Sequence, residues 1–459
     1  MVECMPLRIY MMQEKGGEKA SPFNYLPEDV VYRFPHFMGG DEPPLVVLYP
    51  MVSEVRGEVY FDPLTVYIGR TRGMKPFAYN PRYVLNPLVL IVGTPGSGKS
   101  ATMKTFIYNL IKNEFYLEKG QRIPPVIVVD PEGEYAVLKQ MFNPRDVLHL
   151  HLGRRDYINI FDRPSKALNP LAWYMRMLAV LQKFLHISPA QAAQAYRVLK
   201  KAIVELARER GFTEDPATWV KEDITLGDIY SWIVKQMDEL EKKKKLERIE
   251  RMTYQGLTTL MSRLDQWMYP PNDAFSRRSS IELHRMLNYK LVVLDARGLS
   301  KDLFGLFSYW IAYWTYGLML EKGPLPSFGV RLVLVIDEAW ALLRKTEKEE
   351  ENPLEALARR GRKYGIMILV ATQTPEDVDK KMFSLFGTLV VGIIPSDEMI
   401  KKIVESRGMP KRFETELKTL RQGELVWSIN WRNRDFPMSG VPIVVYTDYP
   451  IKESIQITA

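Results

Sequence analysis

Gly93-Thr94-Pro95-Gly96-Ser97-Gly98-Lys99-Ser100 is the stretch that decides the fold. Its G-x-x-x-x-G-K-S spacing is that of a phosphate-binding loop, and its flanks agree. The apolar run Leu88-Val89-Leu90-Ile91-Val92 reads as a buried strand before it, and Ala101 to Leu110 as the start of a helix after it. Glycines let backbone N–H groups turn inward around phosphate oxygens, while a helix N-terminus adds partial positive charge. Lys99 is expected to reach the β- and γ-phosphates and Ser100 to ligate Mg²⁺, with Gly93 through Ala101 forming the nucleotide contact. The chain is expected to bind ATP.

A loop of this kind needs an acidic partner for the metal. Leu332-Val333-Leu334-Val335-Ile336-Asp337-Glu338 is an apolar strand ending in two acids. Asp337 suits the Mg²⁺ shell, and Glu338 can orient the attacking water and take its proton. A second strand, Ile366 to Ala371, ends in Thr372 and Gln373, whose amide could sense the γ-phosphate. Just upstream, Ala358-Arg359-Arg360-Gly361-Arg362-Lys363 reads as a cationic turn at the end of a helix over 354–360. Arg359 and Arg362 are candidates for an arginine finger given to a neighbouring subunit, with Arg421 a further one. A surface cluster facing DNA phosphates or solvent is the alternative.

Composition sets wide bounds. The 459 residues allow about three domains. A net charge of +8, from 63 Lys+Arg against 55 Asp+Glu, suits a polyanionic partner. Cys4 is the only cysteine, which excludes an internal disulfide and any multi-cysteine metal site. His149 and His151 alternate along an expected strand and share a face; with no cysteine or third histidine nearby, a structural role is expected. No signal peptide is evident, so a cytoplasmic protein, at most peripheral at the inner face of the cell membrane, is expected. Leu303 to Leu320 is uncharged, but it lies between two strand-like runs and reads as a buried crossover helix.

Five regions are expected along the chain: an N-terminal β-containing module over 1–85, with β-like runs at Leu45 to Leu48 and Thr65 to Ile68; a first core half over 86–166; a helical insertion over 167–286; a second core half over 287–440; and a tail over 441–459. The first core half includes the strand Pro125 to Asp130 and the carboxylate-rich turn Pro131 to Tyr135, where the tasks of Asp130 and Glu134 stay open. In the insertion, Ser188-Pro189 with Gln191 predicts a helix start, continued by Ala190 to Ala207. Lys242 to Lys245 reads as a basic run within a charged helix.

Together these pieces resemble the HerA–FtsK superfamily of hexameric DNA pumps. The matching residues are GTPGSGKS at 93–100, DPEGEY at 130–135, VIDEAW at 335–340, and ARRGRKYG followed by ATQTP from Ala358 to Pro375. INIFDRP at 158–164 and VVLDARGL at 292–299 look more like the VirB-type ATPases of conjugation and type IV secretion. The likeness covers about Val84 to Gln422. One departure is Arg360, where the family commonly carries an acid. The resemblance implies an α/β fold with a RecA-like P-loop ATPase core, a homo-hexamer, and ATP-driven passage of DNA through a central pore. A membrane channel or a nuclease is the implied partner. A HerA-like helicase working with a nuclease, and a secretion or pilus-assembly ATPase acting on protein, are the alternatives. For pore contacts with DNA, Arg344, Lys345 and Lys348 are the candidates.

Overall fold

The computed structural model describes residues 52–55, 58–116, 122–326, 329–344, 352–430 and 442–450. Cys4, the run Leu45 to Leu48, and the candidates Lys345 and Lys348 lie outside them. The chain divides into two compact units. Of the described residues, one holds those up to Pro124, Ala371–Glu376 and those from Lys380 onward; the other holds those of Pro125–Val370 and Asp377–Asp379.

The strands, in chain order, begin with β1 (Val52–Val55), β2 (Glu58–Phe61), β3 (Val66–Thr71), β4 (Pro76–Tyr79) and β5 (Leu88–Val92). Then come β6 (Val126–Asp130), β7 (Val147–His151), β8 (Leu291–Asp295), β9 (Leu332–Ile336) and β10 (Ile366–Thr372). The last are β11 (Thr388–Val391), β12 (Glu424–Ile429) and β13 (Ile443–Thr447).

In the first unit β11 lies parallel to β5; then β12, β13, β3 and β4 follow in that order, each antiparallel to the one before. Strands β1 and β2 form a separate antiparallel pair. Every residue of β5 and β11 is buried, as expected of strands covered on both faces. The helix Lys99–Lys112 leaves the loop after β5 and buries Met103, Phe106, Ile107 and Leu110. It packs against β3 and β13.

The second unit is built on five parallel strands in the order β10, β9, β6, β8, β7. All but β7 are buried throughout. Between β8 and β9 runs the helix Lys301–Glu321, with Phe304 to Tyr316 buried without interruption. Phe275, Phe307, Trp310 and Trp314 stack in a row along it, with ring centroids 5.3, 5.5 and 5.8 Å apart. The helix is covered by the helices Pro170–Phe184 and Pro353–Tyr364. Its apolar character is that of a core crossover, and among the described residues no helix is long and apolar enough to cross a membrane.

Between β7 and β8, which are neighbours in the sheet, lie the helices Pro170–Phe184, Ala193–Glu209, Leu226–Glu241 and Arg248–Leu264. A buried ion pair anchors their base. Arg163 Nε donates to Asp223 Oδ1 at 2.7 Å, and neither side chain is exposed. Tyr174 and Lys166 donate to the same carboxylate, and Arg163 also donates to the carbonyl of Leu168 at 2.8 Å. With these partners the pair avoids the cost of bare buried charge.

Three local expectations need correction. The helix expected from Ala190 begins at Ala193, because the Ser188 carbonyl takes the N–H groups of Gln191 and Ala192 and closes a separate turn. Lys242 to Lys245 lies between helices, since Glu247 and Glu250 form a capping box that starts a new one at Arg248. The cationic residues 359–363 are helical and form no turn. Asn352 caps the helix Pro353–Tyr364, proline starts it, and Gly365 at φ 75° ends it.

Candidate active site

The phosphate loop belongs to the first unit. A Cβ at Gly93 would stand 2.7 Å from Ser97 Oγ and 3.2 Å from the Gly392 backbone. Gly98 has a φ of 99° and abuts Gly423. Both positions therefore need glycine, for space in one case and for backbone conformation in the other. The loop is tied to the chain beyond β11: Thr94 donates its N–H and its hydroxyl to the Ile393 carbonyl, at 2.9 and 3.1 Å. Its crest, Pro95 and Gly96, is exposed, while Ser97 is buried. Lys99 is 4 % exposed and its Nζ donates to the Thr94 carbonyl at 3.1 Å, so the ammonium is drawn back over the loop. Gly98 caps the helix without a side chain, and no acid occupies the first turn. Ser100 and Ala101 stand half-buried in that turn. An exposed crest, a lysine over it and a helix N-terminus suit a triphosphate.

Gln373 follows β10 and is half-buried, with the Thr374 N–H bonded to Thr372 Oγ1 at 3.2 Å. Arg421 is exposed, and its backbone N–H is held by Glu424 Oε2 at 2.9 Å.

The acidic residues belong to the second unit. Three apolar strands, β9, β6 and β8, end in an acid at the same edge: Asp337 just past the first, Asp130 and Asp295 closing the others. Asp130 and Asp295 are opposite in register. Asp130 settles part of the question left open by its sequence. Its Oδ1 accepts the N–H groups of Glu132, Gly133 and Glu134, and its Oδ2 that of Tyr135 at 2.9 Å. The carboxylate thus shapes the turn Pro131 to Tyr135. Burial pushes it up to about 6; the Tyr135 and Gly133 N–H groups oppose that rise, while Asp295 and Asp337 add to it.

Tyr135, fully buried, donates its hydroxyl to Asp337 Oδ2 at 3.0 Å. Burial, then the charge of Asp337, holds that phenol well above its ordinary value, so it remains a donor. Asp337 is 7 % exposed, and its Oδ1 takes the N–H of Glu338 at 3.0 Å. Glu338 has a φ of 51°, a left-handed conformation unusual for a residue with a Cβ. Such strain often marks a functional residue. The hydroxyl of Ser100 and the carboxylate of Asp337 are hard oxygen donors of the kind Mg²⁺ takes.

Asp295 is held by the fork of Arg297, with Nε 3.0 Å from Oδ1 and Nη2 2.7 Å from Oδ2. His151 Nδ1 lies 3.0 Å from Oδ2, and His149 Nε2 3.8 Å from it. Burial opposes ionisation of Asp295, but the imidazole of His149 and the guanidinium of Arg297 win and hold its carboxyl well below the usual range. Burial, then the neighbouring His149, lowers His151 and favours the neutral ring. Tyr135, Asp295 and Arg297 lie in the motifs DPEGEY and VVLDARGL, but the sequence reading gave them no role. The available signal was the repeated strand ending in aspartate, VIVVD and LVVLD beside LVLVID.

Of the finger candidates, Arg359 is exposed and bonded only loosely to Glu355 at 3.5 Å, whereas Arg362 is half-buried. Arg344 is exposed, with its guanidinium 4.9 Å from the ring centre of Trp340.

Comparison with known proteins agrees with this architecture. Residues 74–311 match the family described as the helicase HerA central domain. The DNA import protein CedB of Sulfolobus acidocaldarius is 22 % identical over 346 residues, 73 % of this chain and 48 % of that protein. The chain thus spans about half the length of that curated relative. VirB4 of Thermoanaerobacter pseudethanolicus superposes with a TM-score of 0.58 at 19 % identity, covering 85 % of this chain and 98 % of that one. The bacterial conjugative coupling protein TrwB gives 0.54 at 15 % identity, over 84 % and 90 %. These likenesses show the same α/β fold. The chain belongs to the helicase HerA central-domain family and is a P-loop ATPase of the HerA–FtsK type.

Proposed function

We propose that this ATPase is a DNA translocase of the conjugation or DNA-import type, working as a homo-hexamer that passes DNA through a central pore. The observation that carries the reading is a complete phosphate loop, Gly93 to Ser100, in a chain matched to the HerA central domain over residues 74–311. The likeness to CedB, named for DNA import, supports the choice of cargo. Gly93 through Ala101 bind ATP, Lys99 neutralises its β- and γ-phosphates, and Ser100 and Asp337 hold Mg²⁺. Glu338 orients and deprotonates water, Gln373 senses the γ-phosphate, and Arg359 or Arg362 reaches a neighbouring subunit. The protein works in the cytoplasm, at the inner face of the membrane when a channel is its partner. The family match also favours a second reading, a HerA-like helicase acting with a nuclease on DNA ends.

The test is the ATPase rate with and without duplex and single-stranded DNA at two salt concentrations. Stimulation by DNA that weakens as salt rises supports a motor on a phosphate backbone. A rate indifferent to both forms of DNA at low salt would move the chain to the protein-secretion class.

A further inference from the structure

We propose that His149, His151 and Asp295 form a binding site for a divalent transition-metal cation of the Zn²⁺ class, separate from the Mg²⁺ position at Asp337. The two histidines are two residues apart on β7 and so face the same way. Strand β8 lies parallel beside it, in a register that sets Asp295 opposite His151. The third ligand, absent from the neighbourhood of the histidines in sequence, is thus delivered by a strand 144 residues away.

The distances suit a cation. One donor atom from each residue lies within 4.8 Å of the others. Ligand bonds of about 2.0–2.2 Å put neighbouring donors roughly 3.3–3.6 Å apart in a tetrahedral shell. Separations of 3.0 and 3.8 Å from Asp295 Oδ2 bracket that value. His149 supplies an independent sign. Its side chain is 8 % exposed, yet Nε2 makes no hydrogen bond. A buried ring nitrogen that faces Asp295 Oδ2 at 3.8 Å without a hydrogen bond is poorly satisfied, and a cation between the two would serve both.

The surroundings complete the site. Arg297 and its backbone N–H grip Oδ1 of Asp295, so the carboxylate stays oriented while Oδ2 turns from the guanidinium to the metal. His151 is 23 % exposed, which leaves an entry path and a fourth position for water. Two imidazoles and one carboxylate favour a borderline cation over Mg²⁺, which prefers oxygen throughout. The inference does not depend on what the ATPase moves.

The test uses the full chain, stripped with chelator and free of nucleotide, titrated with Zn²⁺ alone, with Zn²⁺ in excess Mg²⁺, and with Co²⁺ as a spectroscopic probe. One Zn²⁺ per chain, resistant to Mg²⁺, and the absorption of four-coordinate Co²⁺ are expected. His149→Gln and His151→Gln should each weaken Zn²⁺ more than about tenfold. The double variant His186→Gln, His284→Gln removes two exposed histidines and should bind as the parent does. If the β7 variants fail to fold, the parental stoichiometry, the Co²⁺ spectrum and a Zn²⁺-dependent rise in melting temperature still decide. Absence of stoichiometric Zn²⁺ binding, displacement by Mg²⁺, or unchanged affinity in folded His149 and His151 variants would overturn the proposal.

Discussion

Tyr135→Phe removes one oxygen and tests how the proposed metal-holding carboxylate is aimed. The hydroxyl lies in a fully buried side chain and donates to Asp337 Oδ2 at 3.0 Å. A hydrogen bond to a charged group contributes about 1.5–3 kcal/mol. At 1.4 kcal/mol per decade that is roughly tenfold to a hundredfold in an equilibrium or rate constant. Because the ring remains, the change leaves packing nearly intact and releases one rotation of the carboxylate. If Tyr135 is a positioning residue, the half-saturating Mg²⁺ concentration for ATP hydrolysis should rise roughly tenfold or more, with turnover reduced. The assay is hydrolysis across a Mg²⁺ series at saturating ATP, paired with a thermal melt without nucleotide. A lower melting temperature with an unchanged Mg²⁺ dependence and turnover would refute the reasoning and leave Tyr135 a packing residue.

Glu338→Gly should raise stability by about 1 kcal/mol, because glycine adopts φ 51° without strain, while hydrolysis stops; a melting temperature at or below the parental one would remove the strain argument. Asp130 is raised from 3.8 to about 6, so the fold favours its protonated form. Its stabilising contribution is full below the unfolded value and is lost as pH rises through about 6, by about 3 kcal/mol at most. Urea unfolding across that window should show the decline, and Asp130→Asn should flatten it. Arg163→Met removes the buried cation from the unexposed Asp223 and should cost about 3 kcal/mol in urea unfolding, whereas a loss within error would mean that Lys166 and Tyr174 suffice. If the proposed finger and ring hold, Arg362→Ala or Arg359→Ala should bind ATP yet hydrolyse it poorly, and should regain activity in assemblies mixed with Lys99→Ala protomers. Co-assembled rings as inactive as either parent would exclude a finger given in trans by these residues.

The parts of the fold that sequence made legible are those governed by local rules. The loop Gly93 to Ser100 has its expected strand and helix because glycine conformation, strand burial and helix initiation act over a few residues. Asp337 follows its strand for the same reason. The helix Lys301–Glu321 was legible because a long apolar run between two strands has one economical place in an α/β sheet. What stayed hidden depends on strand order. Nothing near His149 in the chain announces Asp295, and nothing near Asp337 announces Tyr135; both meetings follow from which strands lie side by side. The cationic residues 359–363 were misread because Gly361 looks like a helix breaker, although inside the helix it is buried and tolerated.

Strands β7 and β8 are hydrogen-bonded neighbours, yet the chain travels from Leu152 to Lys290 to pass from one to the other. A parallel crossover needs only a dozen or so residues. Almost all of that excursion is therefore surplus to building the sheet, and it starts and finishes at strands whose order it does not set. The helices Ala193–Glu209, Leu226–Glu241 and Arg248–Leu264, which pack on one another, can be lengthened, trimmed or exchanged over generations while the order of the strand ends bearing Asp337, Asp130 and Asp295 is left alone. The expected mark of that freedom is divergence concentrated in the helices Ala193–Glu209, Leu226–Glu241 and Arg248–Leu264, while Pro170–Phe184 and Phe275, which pack on the helix Lys301–Glu321, stay constrained.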